Sequence, residues 1–360
     1  MKTTQALHDL GQSIWLDNIT RDMLDNGTLR RYIDELSVTG LTSNPTIFDE
    51  AIGKGGAYDD SIRRKAGEGK KDEQLFIELA LDDLRRAADL FRPIHDRTRG
   101  IDGWVSMEVS PLIANDTQST ITAAQHIHDQ AARANLYVKI PGTPAGVPAI
   151  EASIFAGVPV NVTLLFSREQ YLAVAEAYMR GLERRIAAGL DPKINSVASL
   201  FISRWDRAIA DQVPERLRNR LGIAIARRTY RAHCDLIASK RWKDLERAGA
   251  RKQRMLWAST GTKDPKSPPG LYVEALAAPE TIDTMPEKTL TTFAASGTVK
   301  GVMSPDGGDA EKVIAEFAAA GVDVDALAAR LQVEGADSFV KSWRELMKRI
   351  AEKSSALATT

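Results

Sequence analysis

The chain has 360 residues, of which 43% are hydrophobic and 27% are charged, so it can bury a large core and is not intrinsically disordered. Its 48 basic and 48 acidic side chains balance, and no uninterrupted apolar stretch is long enough for a transmembrane helix. A single cysteine, Cys234, excludes an intramolecular disulfide and an all-cysteine metal site. The N-terminus lacks the apolar segment of a secretory signal, so we expect a soluble cytoplasmic protein without membrane contacts.

Basic residues are concentrated between positions 204 and 254, where there are fifteen Lys/Arg and six Asp/Glu. A nucleic-acid surface is one interpretation, and the solvated outer faces of successive helices are the other. No zinc-finger or other nucleic-acid motif accompanies the charge, so we favour solvated helices and expect no nucleic-acid partner. A phosphorylated metabolite could use one or two of these cations. The close histidine pair, His126 and His128, would be split across a helix, and we expect no metal site.

Short apolar or alternating runs are followed along the chain by longer segments with helical periodicity. The predicted strands cover residues 14–18, 40–42, 104–109, 136–140, 158–163, 194–201, 254–258 and 281–284. The main predicted helices cover residues 72–91, 119–134, 167–188, 221–240 and 287–295. Two helix starts have capping signals. Ser167 precedes Gln170 by three residues, and Asn44 stands before Pro45.

Eight strands alternating with helices predict an α/β fold, a closed (β/α)8 TIM barrel with additional surface and C-terminal helices. A doubly wound open sheet is the alternative, but the glycine-rich dinucleotide fingerprint is missing after the first strand. No internal repeat or low-complexity linker divides the chain. We therefore predict a single domain over residues 1–360, in which residues 309–360 form a helical extension packed on the barrel.

Polar residues recur near the C-terminal ends of the predicted strands, where a barrel gathers its active site. Because side chains alternate along a strand, seven of them are expected to face the barrel mouth: Asp17, Ser106, Glu108, Lys139, Asn161, Thr163 and Ser199. Lys139 is the most informative, since burying an ammonium is costly unless the group is paired or neutralised. A neutral amine could form a Schiff base with a carbonyl. A permanent ion pair with Glu108 or Asp17 would instead be structural, and the pattern alone leaves both possibilities open.

Several segments of the chain resemble the sequence blocks of transaldolases, in the same order. Residues 40–48 (GLTSNPTIF) resemble the first signature of that family. Residues 138–143 (VKIPGT), followed by Gly146 and Glu151, resemble the second, which carries the Schiff-base lysine. Further similar blocks are residues 15–18 (WLDN), 106–111 (SMEVSP), 161–167 (NVTLLFS), 196–201 (SVASLF) and 283–286 (DTMP). The resemblance runs from about residue 14 to residue 289 and extends more weakly into the C-terminal helices.

The resemblance implies catalytic roles for four residues. Lys139 would form the imine with the ketose donor. Asp17 would accept the proton of the C4 hydroxyl during carbon–carbon cleavage. Glu108, through a water molecule held with Thr163, would move the protons of imine formation and hydrolysis. The resemblance implies no metal or cofactor, because the protonated imine is itself the electron sink.

The resemblance also implies substrate-binding roles. Asn44 and Asn161 would bind the dihydroxyacetone portion of the donor, and Thr42 would be a further substrate-binding residue. Ser199 and Arg204 match the positions that hold the phosphate. The mixture of one amine, two carboxylates, amides and hydroxyls suits covalent chemistry on a polyol.

The chain departs from the family pattern at two places. Ser153 stands where the second signature has an aliphatic residue, which concerns helix packing rather than chemistry. The loop after the seventh strand, within residues 256–263 (LWASTGTK), lacks an arginine that many transaldolases use to hold the phosphate. We expect backbone amides around Gly261, together with Lys263, to bind the phosphate there. The alternative is that Lys263 is only a solvated lysine of the loop.

The resemblance implies the reaction of the pentose phosphate pathway that moves a dihydroxyacetone unit. Sedoheptulose 7-phosphate would be the donor and glyceraldehyde 3-phosphate the acceptor, giving erythrose 4-phosphate and fructose 6-phosphate. Phosphorylated sugars would be the only partners of a monomer or homodimer. A Schiff-base aldolase that releases free dihydroxyacetone is one alternative, and a non-catalytic sugar-phosphate-binding barrel with a structural Lys139 is another. Asp17 and Glu108 favour an enzyme, because binding alone needs no proton transfer.

Overall fold

The protein, described over residues 2–358 in a computed structural model, forms a closed barrel of parallel strands in chain order. The last strand pairs back onto the first. The eight strands are β1 Ser13–Asp17, β2 Val38–Thr42, β3 Trp104–Glu108, β4 Leu136–Pro141, β5 Val160–Leu165, β6 Ser196–Phe201, β7 Arg254–Ala258 and β8 Ile282–Met285. Each predicted strand is present, with both ends within about two residues of the predicted ones. The predicted (β/α)8 fold is therefore confirmed.

Sixteen α-helices surround or extend the barrel within residues 2–358. They are α1 Thr3–Asp9, α2 Arg21–Asp25, α3 Thr28–Leu36, α4 Pro45–Gly53, α5 Asp59–Gly67, α6 Asp72–Arg97, α7 Thr117–Ala131, α8 Gly146–Ala156, α9 Arg168–Ala187, α10 Ser203–Ile209, α11 Leu221–Ala238, α12 Lys240–Arg247, α13 Leu271–Ala275, α14 Glu287–Ser296, α15 Ala310–Ala319 and α16 Val324–Ala358. The predicted caps are present. The Ser167 hydroxyl accepts from the Gln170 amide in a capping box, and the Asn44 side chain accepts from the Ile47 amide.

Three predicted helices have wrong boundaries. The helix predicted over residues 119–134 runs from Thr117 to Ala131, because Ala132 has a left-handed backbone. The helix predicted to end at residue 91 continues through Pro93 to Arg97, because Phe91 and Ile94 extend the buried stripe past the proline and outweigh the lost backbone bond. The helix predicted over residues 221–240 is broken at Ser239, whose backbone is extended. The Ser239 hydroxyl accepts from the Trp242 amide and begins α12.

Large aromatic side chains fill the interior of the barrel. The rings of Trp104 and Tyr137 stack with their centroids 4.1 Å apart, and Trp15 is fully buried beside them. A Cβ atom at Gly40 would lie 2.6 Å from the Trp15 indole, so β2 can pass this ring only with a glycine there. The interior is thus a packed core below the site.

The C-terminal helices lie against the barrel and its helices. Helix α15 packs on α11, and α16 packs along α4, α5 and α6 and reaches β5. Arg349 forms an ion pair with Asp49 at 2.6 Å, and Lys353 forms one with Asp59 at 2.7 Å. These contacts bring α16 across the carboxyl end of the barrel. Over residues 2–358, no helix has both the length and the apolar character needed to cross a bilayer.

Candidate active site

A cavity of about 160 Å³ opens at the carboxyl ends of the strands, where barrel enzymes place their reacting groups. Its wall contains eight of the ten predicted site residues: Asp17, Thr42, Asn44, Lys139, Thr163, Ser199, Arg204 and Lys263. The other two, Glu108 and Asn161, do not line the cavity but contact residues of its wall. The sequence therefore identified this end of the barrel and most of the cavity's polar lining.

Lys139 on β4 is held between two acceptors. Its side chain is only 7% exposed. The Nζ atom lies 3.4 Å from Oε2 of Glu108 and donates to the carbonyl oxygen of Ser43 at 3.2 Å. Glu108 and Lys139 are direct partners in the β3–β4 register, so both side chains turn to the same side of the sheet. The register of two neighbouring strands thus creates the ion pair.

Glu108 is a buried carboxylate whose contacts are incomplete. Apart from the ion pair with Lys139, neither of its oxygens has a hydrogen-bond partner among residues 2–358. The buried Oγ1 of Thr163 also has no hydrogen-bond partner among these residues. Burial raises the pKa of Glu108, whereas the Lys139 charge lowers it and the nearby Asp17 raises it further. A carboxyl group in this setting can bind and release a proton at the amine.

Asp17 ends β1 and lines the same cavity as Lys139. Its Oδ1 accepts from the Thr42 hydroxyl at 2.7 Å, and that hydroxyl lies 2.7 Å from Oγ1 of Thr284. Burial raises the pKa of Asp17, and the charge of Lys139 and the Thr42 hydrogen bond oppose this shift. Thr284 received no role from the sequence, although it stands in the DTMP block and faces the same cavity. Asp17 is therefore fixed in orientation while its other oxygen, Oδ2, remains available.

Asn161 on β5 belongs to a chain of hydrogen bonds beneath the cavity. Its Nδ2 donates to Oγ of Ser106 at 3.1 Å, and its Oδ1 accepts from the Ser199 hydroxyl at 2.7 Å. Asn161 is also the register partner of Lys139. Since the Ser199 proton is directed at Asn161, the Ser199 oxygen faces the cavity as an acceptor in this arrangement.

Asn44 precedes α4, and the oxygen and nitrogen of its side-chain amide can make separate contacts. Its Oδ1 caps the helix by accepting from the Ile47 amide at 3.1 Å. The helix cap leaves the Nδ2 group as a donor, and the residue lines the cavity. An amide anchored in this way can bind a hydroxyl or carbonyl oxygen with little loss of side-chain freedom.

Arg204 lies in the first turn of α10, directly after β6. Its guanidinium carbon is 5.1 Å from the ring centroid of Phe201 and 6.0 Å from that of Phe339. Burial lowers the pKa of Arg204, and the neighbouring charge of Arg207 lowers it further. A cation that rests on aromatic rings keeps its N–H groups for an anionic ligand.

The loop after β7 brings Ser259, Gly261 and Lys263 to the cavity. Ser259 has a left-handed backbone with φ of 58°. A Cβ atom at Gly261 would be 3.0 Å from Oγ1 of Thr289, so the loop lies close to the start of α14. The expected phosphate loop is thus at the cavity, with Lys263 at its rim.

Phe339 from α16 is the site residue that the sequence gave no reason to choose. It lines the cavity although it is far from the strand-end residues in the chain. Its ring centroid is 5.8 Å from Nζ of Lys139. Only the packing of α16 over the barrel mouth brings it there.

Asp283 is a buried carboxyl group next to the site that was also assigned no role. It is fully buried, and its Oδ1 accepts from the Thr260 hydroxyl at 2.7 Å. Its Oδ2 has no hydrogen-bond partner within residues 2–358. Burial raises the pKa of Asp283 to about 7, with the Thr260 bond opposing. The bond ties the loop after β7 to β8.

Comparisons with known proteins agree with this geometry. The sequence profile of the family described as "Transaldolase/Fructose-6-phosphate aldolase" matches residues 14–350. A protein named transaldolase from Thermobifida fusca is 43% identical over 98% of both chains. One from Arthrobacter sp. is 44% identical over 96% of this chain and 95% of its own. A third, from Thiobacillus denitrificans, is 42% identical over 97% of this chain and 100% of its own.

We predict that Asp283 makes the stability of the fold depend on pH. Its pKa is about 7 in the folded protein, compared with an ordinary value of 3.8 for an aspartate. At a pH between these two values, the folded chain therefore holds a proton that the unfolded chain has released. The contribution of Asp283 to the free energy of unfolding should therefore fall as pH rises from about 4 to about 7, and then level off. Asp283→Asn, which keeps the acceptor for Thr260, should remove this decline when urea unfolding is measured across that range. The exposed Asp337→Asn is the control, and equal pH profiles for wild type and Asp283→Asn would contradict the prediction.

Proposed function

This chain belongs to the transaldolase/fructose-6-phosphate aldolase family, its activity is that of a transaldolase, and we propose that the reaction proceeds through a Schiff base on Lys139. The donor would be sedoheptulose 7-phosphate and the acceptor glyceraldehyde 3-phosphate, giving erythrose 4-phosphate and fructose 6-phosphate. The observation that supports this most directly is a buried amine within 3.4 Å of a carboxylate at the mouth of the barrel. An amine that can pass its proton to a neighbour is able to attack a carbonyl carbon.

Imine formation is the step assigned to Lys139 and Glu108. The amine adds to C2 of the ketose, and the carbinolamine oxygen then leaves as water after it takes up a proton. Glu108 supplies and recovers these protons through a water molecule that Thr163 also binds. The unpaired oxygens of both side chains support this role, because each has capacity for a further hydrogen bond.

Carbon–carbon cleavage is the step assigned to Asp17. Its carboxylate accepts the proton of the C4 hydroxyl while the C3–C4 bond breaks and its electron pair moves into the imine, leaving an enamine on Lys139. The Thr42 hydrogen bond keeps the carboxylate in one orientation. Asn44 binds a hydroxyl of the dihydroxyacetone unit through its free amide group. Asn161, which lies beneath the cavity, would bind the unit by turning its amide from Ser106 or Ser199 towards the imine.

The phosphate is assigned to the opposite side of the cavity. Arg204 offers N–H groups, the loop amides around Gly261 offer hydrogen bonds, and Lys263 adds a second positive charge. Ser199 would join them by turning its hydroxyl proton from Asn161 to the phosphate. A sugar phosphate carries roughly two negative charges near neutral pH, and two cations match it. The sugar would then extend from the phosphate to Lys139.

We also propose that the enzyme acts in the cytoplasm as a monomer or homodimer, because its substrates belong to intracellular carbohydrate metabolism and one chain supplies the whole site. Residues 1–360 would form one domain, with residues 309–360 as its helical extension. The Arg349–Asp49 pair and the contacts of α16 with the barrel helices support this.

Trapping the imine tests the covalent mechanism. Borohydride with fructose 6-phosphate should reduce the imine to a stable amine on Lys139, located by peptide mass. Lys139→Ala should lose both trapping and turnover, while circular dichroism stays unchanged. Lys139→Arg should also fail, because a guanidinium keeps its proton. Substantial transfer activity in Lys139→Ala would disprove the Schiff-base mechanism.

Asp17 and Glu108 should affect different steps. Asp17→Asn should still form the trappable imine but stall at cleavage, because an amide cannot accept the C4 proton. Glu108→Gln should instead slow imine formation and hydrolysis by about 10²- to 10⁴-fold, the usual range for a lost acid–base group. Rapid mixing with fructose 6-phosphate separates the two steps. If both variants were defective at the same step, the division of roles would be wrong.

Lys263 should matter only for phosphorylated substrates. Losing one charge-assisted contact costs about 1.5–3 kcal/mol, so Lys263→Ala should raise KM roughly ten- to a hundredfold. The reaction of unphosphorylated fructose or dihydroxyacetone should hardly change. Lys266→Ala, an exposed lysine of the same loop, is the matched control. Equal losses on both substrate classes would indicate a folding defect, and no loss would leave Arg204 as the main phosphate cation.

A further inference from the structure

Helix α16 places an aromatic ring between the two cations of the site. The Phe339 ring centroid lies 5.8 Å from Nζ of Lys139 and 6.0 Å from the guanidinium carbon of Arg204. The residue is 6% exposed and forms part of the cavity wall. An apolar ring therefore lies near Lys139 in addition to the polar groups of Glu108 and Ser43.

The same stretch of α16 is fastened to the ends of two strands. Nε2 of Gln332 donates to the carbonyl oxygens of Gly142 and Leu164, each at 3.0 Å. These carbonyls belong to the chain that leaves β4 and to β5, the strands that carry Lys139 and Thr163. The position of the helix is thus set relative to the reacting amine.

A glycine allows the helix to lie this close. A Cβ atom at Gly335 would be 2.9 Å from Cδ2 of Leu164 and 3.3 Å from Nη1 of Arg204. Because Gly335 precedes Phe339 by one helical turn, the close approach and the ring lie on the same face of α16. The sequence of this face therefore brings the ring over the site.

We propose that Phe339 is a specificity-determining residue that keeps water from the intermediate on Lys139, so that the three-carbon unit is transferred rather than released. This rests on the proposed function, since it requires the Lys139 imine. Phe339 would act through its apolar surface and its π face and would exchange no proton.

Transfer and release start from the same enamine. In transfer, C3 of the enamine forms a bond to the carbonyl carbon of the acceptor aldehyde, whose oxygen takes the proton held by Asp17. In release, C3 takes up a proton instead, water adds to C2, and the C–N bond breaks to give dihydroxyacetone and the free amine of Lys139. Transfer restores an imine on Lys139 as the new C–C bond forms, and water then hydrolyses that imine to free the longer ketose. Both routes therefore end with hydrolysis, but in release water must reach the three-carbon intermediate before an acceptor reacts, so a barrier to water at that stage favours transfer.

The ring suits this task for two reasons. A phenyl group offers no donor or acceptor, so it cannot hold a water molecule near the imine carbon. Its π face also stabilises a nearby positive charge, which both the protonated imine and Arg204 carry. The aromatic contact is therefore compatible with the iminium state while the approach of water is hindered.

The test measures how the enamine partitions between release and transfer in three variants, Phe339→Ala, Phe339→Leu and Leu346→Ala. With fructose 6-phosphate as donor, free dihydroxyacetone is measured without acceptor and sedoheptulose 7-phosphate with erythrose 4-phosphate as acceptor. Phe339→Ala should raise the ratio of release to transfer about tenfold, the factor expected when a desolvated cation loses an aromatic face and its cover. Phe339→Leu, which keeps an apolar cover, should change the ratio by less.

Leu346 is fully buried on the same helix about two turns further on, away from the cavity wall, so Leu346→Ala tests a general loosening of α16. It should leave the ratio unchanged. The proposal is overturned if Phe339→Ala slows release and transfer in equal proportion, if Phe339→Leu raises the ratio as much as Phe339→Ala, or if Leu346→Ala does so. Borohydride trapping of the wild type is measured alongside, and its absence would overturn the proposed function itself.

Discussion

One buried ammonium group constrains the rest of the site. Lys139 is 7% exposed, and a charge in that position is tolerable only if neighbouring groups replace its solvent. The closed barrel supplies them through strand register: Glu108 stands opposite Lys139 on β3, and the Ser43 carbonyl follows β2. Opening the sheet or shifting one strand by a residue would turn these groups away from the amine. The fold and the chemistry therefore depend on the same pairing of strands.

The charge on Lys139 also links the two carboxyl groups to the progress of the reaction. It lowers the pKa of both Asp17 and Glu108, against the effect of burial. In the proposed cleavage step the protonated imine becomes a neutral enamine, so this positive charge disappears as Asp17 receives its proton. The pKa of Asp17 should then rise in the step that requires it, and fall again when the imine is restored. A single amine can thus time proton transfer without any movement of the backbone.

How much of the structure the sequence could predict depends on how far apart in the chain the residues that produce each feature lie. Alternation along a strand is local, so it located all eight strands and the inward-facing Asp17 and Lys139. The helix ends predicted at residues 91 and 240 were misplaced, because packing carries one helix past Pro93 and capping by Ser239 divides the other. Phe339 and Gln332 could not be found at all, since they reach the cavity from a helix whose docking depends on contacts distant in the chain. Asp283 carried no signal because its burial is a tertiary property.

The phosphate side of the cavity shows how a missing arginine can be accommodated. The loop after β7 keeps a strained serine, Ser259, and is tied by Thr260 to the buried Asp283, so its backbone is fixed without a long side chain. Arg204 is supported instead by the rings of Phe201 and Phe339. The Phe339 ring lies 5.8 Å from Nζ of Lys139 and 6.0 Å from the guanidinium carbon of Arg204. In the proposed function, phosphate binding by Arg204 and cover of the Lys139 imine would therefore both involve this one side chain of α16.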